Sequence, residues 1–300
     1  MTNTKDSLGD RMKNYYENRS KTFLTRRTPV IIRIDGKAFH TFTKGFDRPY
    51  DEVFHNAMNQ TAKYLCENIQ GCKIGYTQSD EITLLLTDYD TLTTEAWFDY
   101  NVQKMCSVAA SMATMAFNKA FTKAFNEWEY DHSWDWNMGG TNQPVDEKLF
   151  KLCHTYDKAL SKGAMFDARC FNIPKEEITN CFVGRQQDAT RNAIEILGRC
   201  YFSDKQLFKK SCNDIQDMLM LEKNVNFNDM PTAFKRGVCI VKKRLPCTDR
   251  LVGYKTQWVI DKEIPIFSQQ REYIEDILLD REGKSDGDMC GSQNTCGCHK

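Results

Sequence analysis

The chain has 300 residues, 41% of them hydrophobic and 27% charged, with 41 basic residues against 41 acidic ones. That length allows one large domain or two smaller ones, and a net charge of zero excludes nucleic-acid binding by global charge alone. No signal peptide is visible, and no apolar run approaches the ~20 residues of a membrane span. Thirteen cysteines, an odd number, are too few for a disulfide framework, which points to reduced thiols and a cytoplasmic location.

Residues 6–27 read as a charged amphipathic helix, and 29–35 as a β-branched strand. Val53, Met58, Ala62 and Leu65 give residues 50–69 a helical period, and 72–77 and 81–87 are strand-like runs around a tight turn at Gln78-Ser79-Asp80. Residues 95–124 form a long helix with Ser107, Ala109, Ala110, Ser111 and Ala113 on a face small enough to lie close to a sheet. An irregular, tryptophan-bearing insertion at 126–150 and a short helix lead to a fourth strand at 164–171, stopped by Pro174. Beyond it, Glu176–Cys181, Gln186–Arg199 and Asp204–Glu222 read as helices, and Gly237–Val241 and Tyr254–Ile260 as a β-hairpin. The expected units are residues 1–174, residues 175–280 packed on them, and a disordered Cys/Gly-rich tail at 281–300. The local charge clusters, among them Arg19, Lys21, Arg26 and Arg27 and the acidic Asp88, Asp90, Glu95 and Asp99, read as solvated faces.

The order β-α-β-β-α-β is that of the split βαβ, ferredoxin-like fold, so the expected class is α+β with additional helices and a C-terminal hairpin. In that topology strands one and three are antiparallel neighbours. Asp35 ends the first, and Asp80 and Glu81 begin the third, so carboxylates 45 residues apart meet on one sheet edge. Magnesium takes oxygen ligands and keeps several waters, so Asp35 and Asp80 fit as ligands bridging two Mg²⁺ ions, with the Gly36 carbonyl free to approach. The loop that follows offers backbone amides to a triphosphate, with Lys37, Lys44 and Arg48 to neutralise it. Phe39 reads as core rather than as a stacking surface, and His40 as a phosphate contact or a structural hydrogen bond. Arg185, Arg191 and Arg199 recur along one helix, where they can follow RNA phosphates or form a solvated face. No Walker loop or nucleophile elbow occurs. Cys290, Cys296, Cys298 and His299 lack a paired C-x-x-C and make a poor zinc site.

Four ordered blocks then carry a resemblance. They are Arg33-Ile34-Asp35-Gly36-Lys37-Ala38-Phe39-His40 with Phe42, Phe46, Pro49 and Asp51; Gly75 to Glu81; Phe166-Asp167-Ala168-Arg169 with Arg185-Gln186-Gln187-Asp188; and Asn226 to Gly237. Over about residues 6–243 the chain resembles the tRNA(His) guanylyltransferase family of 3′-to-5′ polymerases. The resemblance implies a polymerase palm-type domain with Asp35, Asp80 and Glu81 as catalytic residues, and metal on Asp35, Gly36 and Asp80. It implies nucleotide binding by Arg33, Lys37, Ala38, Phe39, His40, Lys44, Arg48, Asp51 and Ser79, and RNA binding by Arg185, Asp188, Arg191 and Asn192. ATP and GTP serve as activating and incoming nucleotides, tRNA is the partner, and a homotetramer is implied.

Eukaryotic members carry His-Ile-Asn-Asn where this chain has Thr190-Arg191-Asn192-Ala193. Without the histidine, the chain is more similar to bacterial and phage-type relatives, which implies template-dependent tRNA 5′-end repair. Addition of a single guanosine to tRNA(His), a nucleotide cyclase on a similar palm, and a non-catalytic nucleotide- or RNA-binding scaffold stay open as alternatives.

Overall fold

The computed structural model describes residues 7–137, 147–246 and 254–278. Its centre is a six-stranded antiparallel sheet in the order β4-β1-β3-β2-β5-β6. The strands are β1 (Val30–Gly36), β2 (Cys72–Gln78), β3 (Glu81–Leu86), β4 (Phe166–Asn172), β5 (Val238–Pro246) and β6 (Tyr254–Asp261). Strand alternation sorts β1 into two faces. Val30, Ile32 and Ile34 pack under α3 (Glu52–Asn68) and α4 (Val102–Asn137), in a core that includes Leu65, Ala109, Ala113 and Phe117. Ile31 faces the other way, in a second core with Tyr76, Leu85 and Phe182 of α6 (Ile178–Tyr201). A third core joins α6 to α8 (Cys212–Lys223) and α9 (Thr232–Arg236) through Leu197, Leu219 and Phe234. The first and third strands are neighbours as expected, with Asp35 opposite Glu81. Strands β5 and β6 pair antiparallel, and β5 continues the sheet beyond β2.

Several expectations are corrected. The entry helix is only α1 (Leu8–Tyr15), because Tyr16 leaves helical geometry at φ −123°, ψ −66°. The long helix begins at Val102, after a turn with Phe98, Asp99 and Tyr100 at positive φ, and of its small residues Ser107 and Ser111 are exposed. It runs on to Asn137 through the first part of the expected irregular insertion, since Gly139-Gly140 is the first breaker after it starts. The short helix after it is α5 (Glu147–Lys162). The expected break between Cys181 and Gln186 is absent. Gly184 sits inside α6 with open space where a side chain would be, so it interrupts nothing. Asp204–Glu222, by contrast, is two helices, α7 (Asp204–Leu207) and α8, each started by its own capping box from Ser203 and Ser211.

The acidic stretch is not wholly solvated. The Asp88 side chain is fully buried, accepting from Arg26 Nε (2.7 Å) and the Arg27 amide (2.9 Å). The tail at 281–300, with its cysteines, lies outside the described residues, as do positions 138–146 of the insertion. Among the described residues no helix is long and apolar enough to cross a membrane.

Candidate active site

The site begins where β1 ends and the β2–β3 turn closes. Gln78 pairs with Glu81, so Ser79 and Asp80 alone form the connection, with Ser79 in the left-handed region at φ 49°. A non-glycine residue there costs roughly 1–3 kcal/mol, which the pairing of both strands offsets. The Gly36 amide donates to the Asp80 carbonyl (3.2 Å), holding the turn against the end of β1. Gly36 itself is dictated by packing, because a Cβ there would sit 2.2 Å from the Phe39 ring. Phe39 is 4% exposed among Phe42, Phe54, Phe117 and Phe166, and belongs to the core as expected.

The carboxylates divide into two kinds. Asp35 lies in register between Asp167 on β4 and Glu81 on β3, so three acidic residues line up across neighbouring strands. Burial first, then repulsion from Glu81 and Asp167, pushes the Asp35 carboxyl above the usual range. Burial, with smaller repulsion from Asp35 and Glu81, pushes Asp80 up to about 6. Asp80 accepts from its own backbone amide and from the adjacent Ser79 hydroxyl (3.0 Å), and Asp35 meets no donor side chain among the described residues. Glu81 is different, since it accepts from Arg33 Nη2 (3.1 Å) and from Arg185 Nη1 (3.2 Å to both oxygens). Asp35 and Asp80 are therefore in no direct ion pair among the described residues, with Arg169 and Arg33 offsetting only part of the charge at Asp35, and they form an all-oxygen set that suits a hard divalent cation. Glu81 has its partners already.

Beside this turn opens a cavity of about 460 Å³. Of the nucleotide residues expected, Ala38, Phe39, His40, Arg48, Asp51 and Ser79 line it, together with Gly36 and Asp80. Ala38, at φ 56°, starts the short helix α2 (Phe39–Phe42). The Ala38, Phe39 and His40 amides have no acceptor among the described residues, whereas the Lys37 amide is spent on the Met165 carbonyl (2.8 Å). Lys37 and Lys44 are exposed outside the lining, and Arg33 is turned to Glu81.

Asp51 is a structural anchor. It is 4% exposed, caps α3 by accepting from the Phe54 amide (2.9 Å), and takes the Asp47 amide (2.9 Å) and the Tyr156 hydroxyl (2.7 Å). Asp51→Ala removes a cap and strands a buried hydroxyl, so we expect a loss of about 2–3 kcal/mol. Thermal melting would show it as several degrees, with the KM for nucleotide unchanged within threefold. An unchanged melting temperature with a raised KM would assign Asp51 to nucleotide instead.

The cations of α6 do not form one stripe. Arg185 is half-buried and turned onto Glu81 and Asp188, and Asp188 also pairs with the exposed Arg191. Asn192 is exposed and lines the cavity, as does Arg199, which also pairs with Glu195 (3.4 Å). Cavity residues that the sequence did not mark as a site include His55, Asn59 and Phe234. The helical period on α3 held the only signal, with His55 and Asn59 one turn apart on its inner face. Asp167 was visible only as part of a motif, because its place beside Asp35 depends on strand register.

The family model described as "Thg1: tRNAHis guanylyltransferase" matches residues 9–174, more than half of the chain. The chain belongs to the tRNA(His) guanylyltransferase family. These enzymes are nucleotidyltransferases. Among solved structures, a bacterial tRNA(His) guanylyltransferase-like protein in complex with ATP is 41% identical, with a TM-score of 0.71. The match covers 90% of this chain and 98% of that one. A bacterial protein of the same description in complex with GTP is 37% identical with a TM-score of 0.69, over 91% of this chain and 99% of that one. An uncharacterized protein, R259, of Acanthamoeba polyphaga mimivirus is 29% identical over 286 residues, 91% of this chain and 88% of its own length.

Proposed function

We propose that this family member extends the 5′ end of tRNA in the 3′-to-5′ direction, copying the opposite strand, as a tRNA 5′-end repair polymerase. The observation that carries the proposal is the pairing of Asp35 and Asp80, in no direct ion pair among the described residues, beside a cavity of nucleotide size. The strand order β4-β1-β3-β2 supports reading the first four strands as a ferredoxin-like polymerase palm.

Asp35, Asp80 and the Gly36 carbonyl would hold magnesium, which when bound screens the polyphosphate and acidifies the attacking hydroxyl. The other parts belong to the chain itself. The free amides at Ala38, Phe39 and His40, with Arg48, orient a triphosphate, and Glu81 with its two arginines fixes β3 beside Asp35. The attacking 3′-hydroxyl of an incoming nucleotide displaces AMP or pyrophosphate from the activated 5′ end. Arg191 and Asn192, exposed on α6, are placed to meet RNA, and residues 175–280 form the RNA-contacting part of the chain. Assembly as a homotetramer belongs to the same proposal.

Thr190 favours repair over guanosine addition. Where eukaryotic members have histidine, its hydroxyl donates to the Lys235 carbonyl (2.9 Å), tying α6 to α9. The test uses 5′-monophosphorylated tRNA lacking its first nucleotide, intact tRNA(His), Mg²⁺, ATP and each labelled NTP. The truncated tRNA should gain the base that complements the opposite strand, and changing that base should change the nucleotide added. Addition of G alone, to intact tRNA(His) alone, would contradict repair.

A further inference from the structure

Nine cysteines lie among the described residues, and all are free thiols. Two pairs of them touch. Cys66 and Cys72 are sealed in the main core, 2% and 4% exposed. Cys106 of α4 and Cys170 of β4 are only half-buried, and the Cys106 thiol donates to Cys170 Sγ at 3.6 Å. A reagent in solution therefore reaches the second pair and not the first.

The packing of α4 along β4 sets that contact. Asn118 accepts from the Ala164 amide (2.9 Å) and donates to its carbonyl (3.0 Å), and the Thr114 hydroxyl accepts from the Phe166 amide (3.1 Å). Two residues forward into the strand thus meet four residues back along the helix. Two strand residues rise about 6.8 Å and four helical residues about 6 Å, so the antiparallel elements keep pace. Two further steps lead to Cys170 and Cys106. Beyond them Asn172 ties the end of β4 to Thr25, accepting from its amide (2.8 Å) and donating to its carbonyl (3.1 Å). The strand is held on both sides of the thiols, and the thiols are held against each other. A disulfide places its sulfurs about 2.05 Å apart, a short rotation about the two Cα–Cβ bonds from this contact.

We propose that Cys106 and Cys170 are a redox site, which a low-molecular-weight disulfide such as oxidised glutathione converts into a reversible cross-link stapling β4 to α4. Burial, then the Cys106 thiol beside it, holds the Cys170 thiol above the usual range, so the first attack falls to Cys106. Its thiolate attacks one sulfur of the small disulfide, breaks the S–S bond and releases one small thiol. Cys170 then attacks Cys106 Sγ, the protein disulfide forms, and the second small thiol leaves. The two cysteines lose two electrons and two protons, and the small disulfide gains them. Strand β4 is the edge of the sheet and carries Asp167, in register beside Asp35, so the staple closes on the strand that flanks the candidate site.

Incubation of the full chain in mixtures of reduced and oxidised glutathione tests it, read by alkylation, peptide mapping by mass and thermal melting. Raising the oxidised share should produce a linked Cys106–Cys170 peptide and remove both thiols from alkylation. The linked protein should melt several degrees higher, because the bond joins residues 64 apart and restricts the unfolded chain. Dithiothreitol should reverse both changes, and Cys106→Ser and Cys170→Ser should each abolish the shift. Oxidation that leaves the two thiols open to alkylation, joins either to another cysteine, or stops at bound glutathione would overturn the proposal. So would an equal melting shift in Cys106→Ser. The wild-type peptide map decides the matter should a serine variant fold poorly.

Discussion

Asp80→Asn should abolish turnover and stabilise the metal-free protein. The activity loss should reach about 10³-fold or more, because a carboxylate aimed at charge that develops during reaction contributes on the order of 4 kcal/mol. The stability gain follows from the sign of the shift. Burial raises Asp80 from 3.8 to about 6 in the fold, so the unfolded chain holds this charge more easily than the folded one. Above pH 6 the folded protein bears the full cost, roughly 2–3 kcal/mol, and the cost disappears as pH falls through 6 towards 4. Metal-free wild type should therefore gain stability on acidification from pH 7.5 to 5.5, and Asp80→Asn should lose that component of the pH dependence. Asp35 is raised in the same direction and adds to it. Magnesium at millimolar concentration should raise the melting temperature of wild type and not of the variant. An Asp80→Asn protein that melts well below wild type at pH 7.5 without metal would show that the carboxylate is a structural partner.

Arg185→Gln has the second large effect, and it separates Glu81 from the two aspartates. Arg185 joins α6 to β3 by gripping both oxygens of Glu81, and it also pairs with Asp188. Its side chain is 21% exposed and that of Glu81 14%, so the pair is neither deeply buried nor fully solvated. Removing one partner should cost about 1–3 kcal/mol, less than the 3–5 typical of a fully buried pair. Activity should fall by roughly 10–100-fold, because Glu81 then turns part of its charge onto Asp35 next to it. Arg185→Lys should not restore the wild-type level, since a single ammonium cannot hold Glu81 and Asp188 at once as Nη1 and Nη2 do. Glu81→Gln should resemble Arg185→Gln, and the double variant should be little worse than either, as expected for two members of one network. If Glu81→Gln is as damaging as Asp80→Asn while Arg185→Gln is nearly silent, Glu81 is a metal ligand and its arginines are incidental.

These contrasts mark how far the sequence was legible. The β-branched run at 30–34 and the turn at Ser79-Asp80 carry local signals strong enough to set two central strands, and topology alone then brings Asp35 to Asp80. What stayed hidden depended on tertiary partners. Helical spacing puts Arg185, Arg191 and Arg199 on one element but does not say that Arg185 turns inward to a strand 104 residues away. Asp51 sits in a nucleotide-type motif, and only the fold reveals that Tyr156, 105 residues on, occupies it. Asp88 looked like one more surface acid until Arg26 covered it. The two helix starts at Ser203 and Ser211 were readable as capping boxes, and their S-x-x-Q and S-x-x-D spacing was the missed signal. Asn59 could not be found from sequence, because an amide is conspicuous only when burial denies its Nδ2 a partner.

The most direct measurement is the direction of growth on a truncated, 5′-monophosphorylated tRNA labelled at its 3′ end, comparing wild type with Asp35→Asn and Asp80→Asn. Wild type should lengthen the RNA at its 5′ end by nucleotides that complement the opposite strand, and both variants should leave it unextended while remaining folded. Growth at the 3′ end, or 5′ extension by both variants at the wild-type rate, would contradict the account.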